Sequence, residues 1–158
     1  MRMLAAACLV AALFTALAGF AGAGTAQAQA RVKPVSQARA LALINGLRTK
    51  NGLPPLKADA RLHKAAQTHS TWMASRGKLT HRAGFGGGLG AKVRRVDYSP
   101  GHAWENVAAG QKSLEQAIAS WMNSSGHRAN ILGNYTHLGT GVTTKGSRVY
   151  VVHVFMRA

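Results

Sequence analysis

The chain has 158 residues, with 20 Lys and Arg against four Asp and Glu and a formal net charge of +16. It is long enough for one domain that buries a core without covalent staples, and its single cysteine, Cys8, excludes a disulfide framework and a Cys-based metal site. A surface this basic draws polyanions such as nucleic acid, anionic headgroups or acidic glycans.

Residues 1–30 read as a secretory signal peptide. Arg2 gives a positive start, Met3 to Phe20 is almost wholly apolar and uncharged, and Ala28-Gln29-Ala30 supplies an A-x-A cleavage site. A permanent anchor needs ~18–20 apolar residues, and glycines at 19, 22 and 24 weaken this stretch as a helix. Cleavage near Ala30 is therefore expected, leaving residues 31–158 as one domain, secreted or periplasmic, with no membrane anchor. Cys8 leaves with the signal, and thiol chemistry leaves with it.

After an extended lead-in, Ser36 is placed to cap a helix carrying Ala40, Leu43, Ile44 and Leu47 at helical spacing. Gly46 within it suggests a close packing contact, and Asn51-Gly52 ends it. Leu53-Pro54-Pro55-Leu56 is an extended connector. Asp59 caps a second helix whose apolar line runs Leu62, Ala65, Ala66, His69, Trp72 and Met73 until Gly77 stops it. On that line His69 reads as a core histidine. Residues 77–110 read as irregular, and Gly84–Gly90 as a flexible loop rather than a dinucleotide fingerprint, since no strand precedes it and no capped helix follows.

Ser113 and Gln116 form a capping box for a third helix with Leu114, Ala117, Ile118, Trp121 and Met122 on its buried stripe. Residues 127–132 give one or two further helical turns. The end is a hairpin, Leu138 to Thr144 and Arg148 to Met156. Its second strand is apolar on both faces apart from His153, the pattern of a strand covered on both sides. Helices first and a closing hairpin, without a βαβ rhythm, predict an α+β domain with helices flanking a mainly antiparallel sheet.

Four acids and seven histidines are few enough to sort. Asp59 is a cap, Glu115 lies in a helix first turn where the dipole favours it, and Asp97 neighbours Arg94 and Arg95 as a surface ion pair. Glu105, in His102-Ala103-Trp104-Glu105-Asn106-Val107-Ala108, sits among apolar residues, and a buried carboxylate needs cationic or hydrogen-bonding partners. Of the other histidines, His63 is expected on a polar helix face, His153 in the core with one hydrogen bond, and His102, three residues before Glu105, at the rim of a cavity. His137 is left unassigned.

Five blocks in order resemble the bacterial CAP superfamily, the cysteine-rich secretory, antigen 5 and pathogenesis-related 1 proteins, also called SCP domains. The string Trp121-Met122-Asn123-Ser124-Ser125-Gly126-His127-Arg128-Ala129-Asn130-Ile131-Leu132 is similar to its W-M-x-S-x-G-H-R-x-N-I-L block. Glu105-Asn106-Val107-Ala108 with Gly110 matches E-N-[IV]-A-x-G. Leu79-Thr80-His81, Asn45-x-x-Arg48 with Gly52-Leu53-Pro54-Pro55-Leu56, and Gly139-x-Gly141-Val142 complete the set over about residues 36–157. The resemblance implies an α-β-α sandwich and a cavity lined by two His and two Glu. Carried over by position, these are His81, Glu105 and His127, with Ser124 where the second Glu belongs.

Two neutral imidazoles, His81 and His127, with Glu105 or water, would make a weak, exchangeable site for zinc or another divalent metal. Alternatively Glu105 fixes a histidine tautomer. No H-E-x-x-H and no G-x-S-x-G is present, so a hydrolase would have to work through Glu105 and His127 on a metal, or through Ser124 or Ser125 beside His127. The expected role is a binding module for a metal, a lipid in a groove, or an envelope polyanion on the basic surface. The alternative is a hydrolase of envelope peptide, glycan or nucleic acid, and a scaffold part of a larger assembly is a third reading. No helix-turn-helix, zinc-finger or RNA-binding signature is found, so no specific nucleic-acid partner is expected.

Overall fold

The computed structural model describes residues 37–82, 87–98 and 102–157. The signal-peptide reading, the Ser36 cap and the first three residues of the glycine string lie outside them. The described elements run α1 (Gln37–Lys50), β1 (Lys57–Ala58), α2 (Ala60–Arg76), α3 (Leu89–Arg94), β2 (His102–Gln111), α4 (Leu114–Met122), α5 (Ser125–Ile131), β3 (His137–Lys145) and β4 (Arg148–Arg157). The strands form one sheet in the order β1-β3-β4-β2. β1 runs parallel to β3, and the other neighbours are antiparallel.

Alternation along the strands divides the core into two layers. Val149, Val151 and Phe155 of β4, with Ala108 of β2, face Ala40 and Ile44 of α1, Leu114 and Trp121 of α4, and Ile131 of α5. Val152, Val154 and Met156, with Val107, face Leu62, Ala66 and Met73 of α2 and Val93 of α3. This is the α-β-α sandwich, with β4 covered on both sides as its sequence predicts. The buried faces of the helices and β4 stabilise the fold, at about 1.5–3 kcal/mol for each fully buried large apolar side chain.

The helix ends follow local chemistry. Asp59 accepts from the backbone N–H groups of Arg61 and Leu62, and Gly77 closes α2 in the left-handed region at φ 62°. Ser113 accepts from the Gln116 N–H, while the Gln116 side chain reaches one residue further back than expected, to the N–H of Lys112. The opening N-x-x-R block is structural. Asn45 exchanges two hydrogen bonds with the Leu56 backbone at 2.8 and 2.9 Å. Arg48, 1 % exposed, donates to the carbonyls of Pro54, Ile131 and Gly133, tying the end of α1 to the end of α5.

Several expectations are corrected. Residues 77–110 are not wholly irregular. They contain α3 and most of the ten-residue strand β2, whose Glu105 and Asn106 put polar groups on both faces and hide its periodicity. α3 begins inside the glycine string, at Leu89, with no side-chain cap at Gly88. Gly46 is not a packing contact, because a Cβ there would meet nothing within 4 Å. His63 is half-buried rather than exposed. His153 is fully buried and neither ring nitrogen has a hydrogen-bond partner among the described groups. Asp97 is on the surface, as expected, in left-handed backbone at φ 56°.

The G-x-G-V strand has a steric reason. Built Cβ atoms on Gly139 and Gly141 would lie 2.2 Å from the backbone of Leu62 and Ala66, one helical turn apart on α2. Helix and strand therefore touch backbone to backbone. Gly141→Ala must push α2 off the sheet, and we expect it to cost about 2–3 kcal/mol, the upper part of the usual overpacking range. The midpoint of urea denaturation checks this. An unchanged midpoint would mean that α2 shifts without cost.

Candidate functional site

β2 is an edge strand, and its register sets Glu105 opposite Val154 and Asn106 opposite His153. Successive side chains leave opposite faces, so Glu105 points into the α2–α3 layer and Asn106 into the α4–α5 layer. Gly110, at φ 100°, lies where the β2–β4 register shifts between Ala109 and Gln111, which accounts for the last residue of that motif.

Glu105 is 7 % exposed and holds three cationic or imidazole partners. Lys92 of α3, 1 % exposed, donates its ammonium to Glu105 Oε2. The same ammonium lies 2.8 Å from Nδ1 of His69, which is fully buried on α2. Donation from Lys92 makes Nδ1 the acceptor and places the His69 proton on Nε2. On the other carboxylate oxygen, His81 Nδ1 donates to Oε1 at 3.2 Å while its side chain stays 61 % exposed. Burial pushes the Glu105 carboxyl up. The His81 hydrogen bond and the charge and hydrogen bond of Lys92 outweigh burial and bring it down to about 2. Burial pulls the Lys92 pKa below its ordinary value, against the opposing pull of Glu105.

The remaining predicted residues form a second group on the other face. His127, half-buried on α5, has Nδ1 2.9 Å from the hydroxyl of Ser124. Its carbonyl accepts from Asn106 Nδ2 at 3.0 Å, and Asn130 donates to Asn106 Oδ1 at 2.8 Å. The Trp121 indole donates to the Val107 carbonyl and stacks near His127, with ring centroids 6.4 Å apart. The structure thus pairs His81 with Glu105 and Ser124 with His127. His102 stacks on Trp104 at 6.1 Å and 9° on the exposed strand edge, and His137 meets the Thr136 hydroxyl.

Lys92 and His69 are the members that sequence reasoning missed. His69 stood on an apolar helical line, where burial was legible but the partner was not. Lys92 is one of 20 basic residues, and only its neighbours Leu89 and Val93 hinted at an inward face.

A separate apolar groove of about 490 Å³ runs between α1 and α4. Leu43, Leu47, Ile118 and Met122 line it, Gly46 opens its wall, and Lys50 and Glu115 stand at its rim. Glu115 is held there by Arg39 at 2.6 Å.

A three-layer α-β-α domain with a histidine-bound glutamate on its edge strand, and a G-H-x-x-N helix start beside it, defines a CAP domain. The chain belongs to the Cysteine-rich secretory protein family, whose sequence profile matches residues 41–156. It is 40 % identical over 106 residues to uncharacterized protein YkwD of Bacillus subtilis, covering 66 % of this chain and 41 % of that protein. An extracellular protein containing a SCP domain from Bacillus anthracis superposes with a TM-score of 0.70 at 31 % identity, covering 77 % of this chain and 40 % of that one. An outer surface protein of Borrelia burgdorferi gives 0.66 at 25 % identity, covering 75 % of this chain and 90 % of its own. The chain spans less than half the length of the Bacillus relatives it matches. Among the described residues no helix is long and apolar enough to cross a membrane.

Proposed function

We propose that this chain is the ligand-binding domain of an exported protein, and that the groove between α1 and α4 takes a long-chain amphiphile with an anionic head. The groove carries the reading. Its volume of about 490 Å³ lies within the usual ~300–1,000 Å³ of ligand sites, and apolar walls with a few polar groups at the mouth are their usual lining. Lys50 is exposed at the rim, and a net charge of +16 concentrates anionic amphiphiles and headgroups at the surface. Export is supported by the leading apolar stretch and by the extracellular and outer-surface relatives.

Binding is preferred to hydrolysis because neither histidine completes a triad. Ser124 meets Nδ1 of His127, the nitrogen that a triad carboxylate would hold, and Glu105 is engaged by Lys92 on the other sheet face.

Gly46→Leu tests the groove. The new side chain enters open space, and replacing a helical glycine by leucine gains up to ~1 kcal/mol of helix propensity. Displacement of a fluorescent fatty-acid analogue should be lost in this variant while its Tm stays level or rises. Wild-type binding by a stably folded Gly46→Leu would place the ligand elsewhere.

A further inference from the structure

The zinc expected on His81 and His127 does not fit the residues present. His81 lies on Glu105 in one layer and His127 on Ser124 in the other, and among the described residues no three His, Cys, Asp or Glu side chains form a group able to hold a metal. Past the end of α5, however, the sheet face that carries Asn106 holds a pocket of another kind. We infer that it binds an acidic sugar, whose ring packs on Trp104 and Tyr135 while its carboxylate pairs with Arg157. The pocket shares no residue with the groove between α1 and α4, and the inference does not rest on that groove.

Strand register builds the pocket. His102 and Trp104 leave β2 on the same face as Asn106, and the β4 residues opposite them are Arg157 and Phe155. α5 ends at Ile131, and the pocket is lined by His102, Trp104, Asn134, Tyr135 and Arg157, none of them on a helix. Trp104 is 42 % exposed, one of two large apolar side chains left in water among the described residues. Its ring meets that of Tyr135 at 5.6 Å between centroids with a tilt of 46°, and Tyr135 rests on Phe155. Two rings inclined in this way form a wedge. A flat base needs parallel faces to stack, whereas a puckered sugar ring presents C–H groups in two directions, and these carry the partial positive charge that an aromatic face attracts. The cavity of about 190 Å³ is smaller than the usual ~300–1,000 Å³ of a small-molecule site, which suits one sugar of a chain whose remainder lies in solvent. Charge selects the kind of sugar. Arg157 is exposed at the rim, and a guanidinium holds a carboxylate through two parallel hydrogen bonds. None of the four acidic side chains of the protein occupies it: Asp59 caps α2, Asp97 follows α3, Glu105 leaves by the opposite face and Glu115 holds Arg39.

The test is calorimetric titration of the purified chain with hexagalacturonate, beside uncharged cellohexaose and a thymidine hexanucleotide. Wild type should bind hexagalacturonate, and cellohexaose more weakly. Trp104→Ala and Arg157→Gln should each weaken hexagalacturonate binding by about tenfold or more, as loss of a stacking ring or of a bidentate ion pair does. Arg94→Gln, the same change of charge at an exposed position of α3, should weaken it by less than about twofold. Equal losses in Arg157→Gln and Arg94→Gln, or none in a folded Trp104→Ala, would leave only diffuse attraction of polyanions and overturn the site. A wild-type chain that binds no hexagalacturonate overturns it as well. Tighter, Trp104-dependent binding of the thymidine hexanucleotide would make the pocket a nucleobase site and overturn the sugar assignment. If circular dichroism shows Trp104→Ala unfolded, the indole N–H resonance of Trp104 in wild type decides. A shift during the hexagalacturonate titration supports the site, and a fixed resonance overturns it.

Discussion

Glu105→Ala should destabilise the fold by about 3–5 kcal/mol, because removing one partner of a buried ion pair leaves the other charge unpaired. Lys92 is 1 % exposed, and its remaining partner, His69 Nδ1, carries no negative charge to balance an ammonium. The same change frees His81 without further cost, since its side chain is 61 % exposed and is solvated in either case. Glu105→Leu/Lys92→Met should recover most of the loss, as buried ion pairs replaced together by apolar groups of similar volume are often neutral or better. Urea denaturation of the single and double variants measures both. A cost below about 1 kcal/mol for Glu105→Ala would show that Lys92 reaches water or sheds its proton in the variant.

Acid should weaken the protein well before its carboxylates titrate. His153 is fully buried, and burial lowers its pKa from 6.5 to about 3. Cross-strand neighbours Asn106 and Thr140 flank it. The Trp121 ring lies edge-on at 4.8 Å and that of Phe155 at 6.1 Å, and none of these supplies a charge to hold a proton. The folded imidazole therefore stays neutral while the unfolded one protonates. Stability is fully present above pH 6.5 and falls as the pH drops toward 3, by about 1.4 kcal/mol per unit and on the order of 4–5 kcal/mol in all. Glu105, brought from 4.5 down to about 2, adds a second loss with the same sign below pH 4.5. In His153→Leu the slope between pH 6.5 and 4.5 should flatten. An unchanged slope there would assign the acid sensitivity to another group.

Much of this fold was written in local chemistry. Asp59, Gly77 and Ser113 mark helix ends by the hydrogen bonds and dihedral they provide, and β4 announces its central place by carrying apolar residues on both faces. β2 was not legible, because Glu105 and Asn106 serve opposite layers and each breaks the alternation that identifies a strand. The site was half legible. His81, Glu105, Ser124 and His127 could be picked out by motif, and the structure pairs His81 with Glu105 and Ser124 with His127. Lys92 could not. Its burial depends on α3 packing against α2 and β2, a long-range contact that leaves no mark on its own six-residue helix. Gly46 was misread for the reverse reason: a helical glycine signals missing volume, and only the position of α4 shows that the space stays open.

The strand order carries a consequence for how the chain reaches this state. β4, last of the described strands, lies between β2 and β3, and β1 joins the sheet only through β3. Until residues 148–157 are available, β2 has no neighbour and Glu105 no layer to enter. A nascent chain lacking this strand can form its helices, but not the β2–β4–β3 part of the sheet on which they rest. Folding of the domain is therefore committed only once that strand has emerged, rather than progressively, with long-range pairings setting its pace.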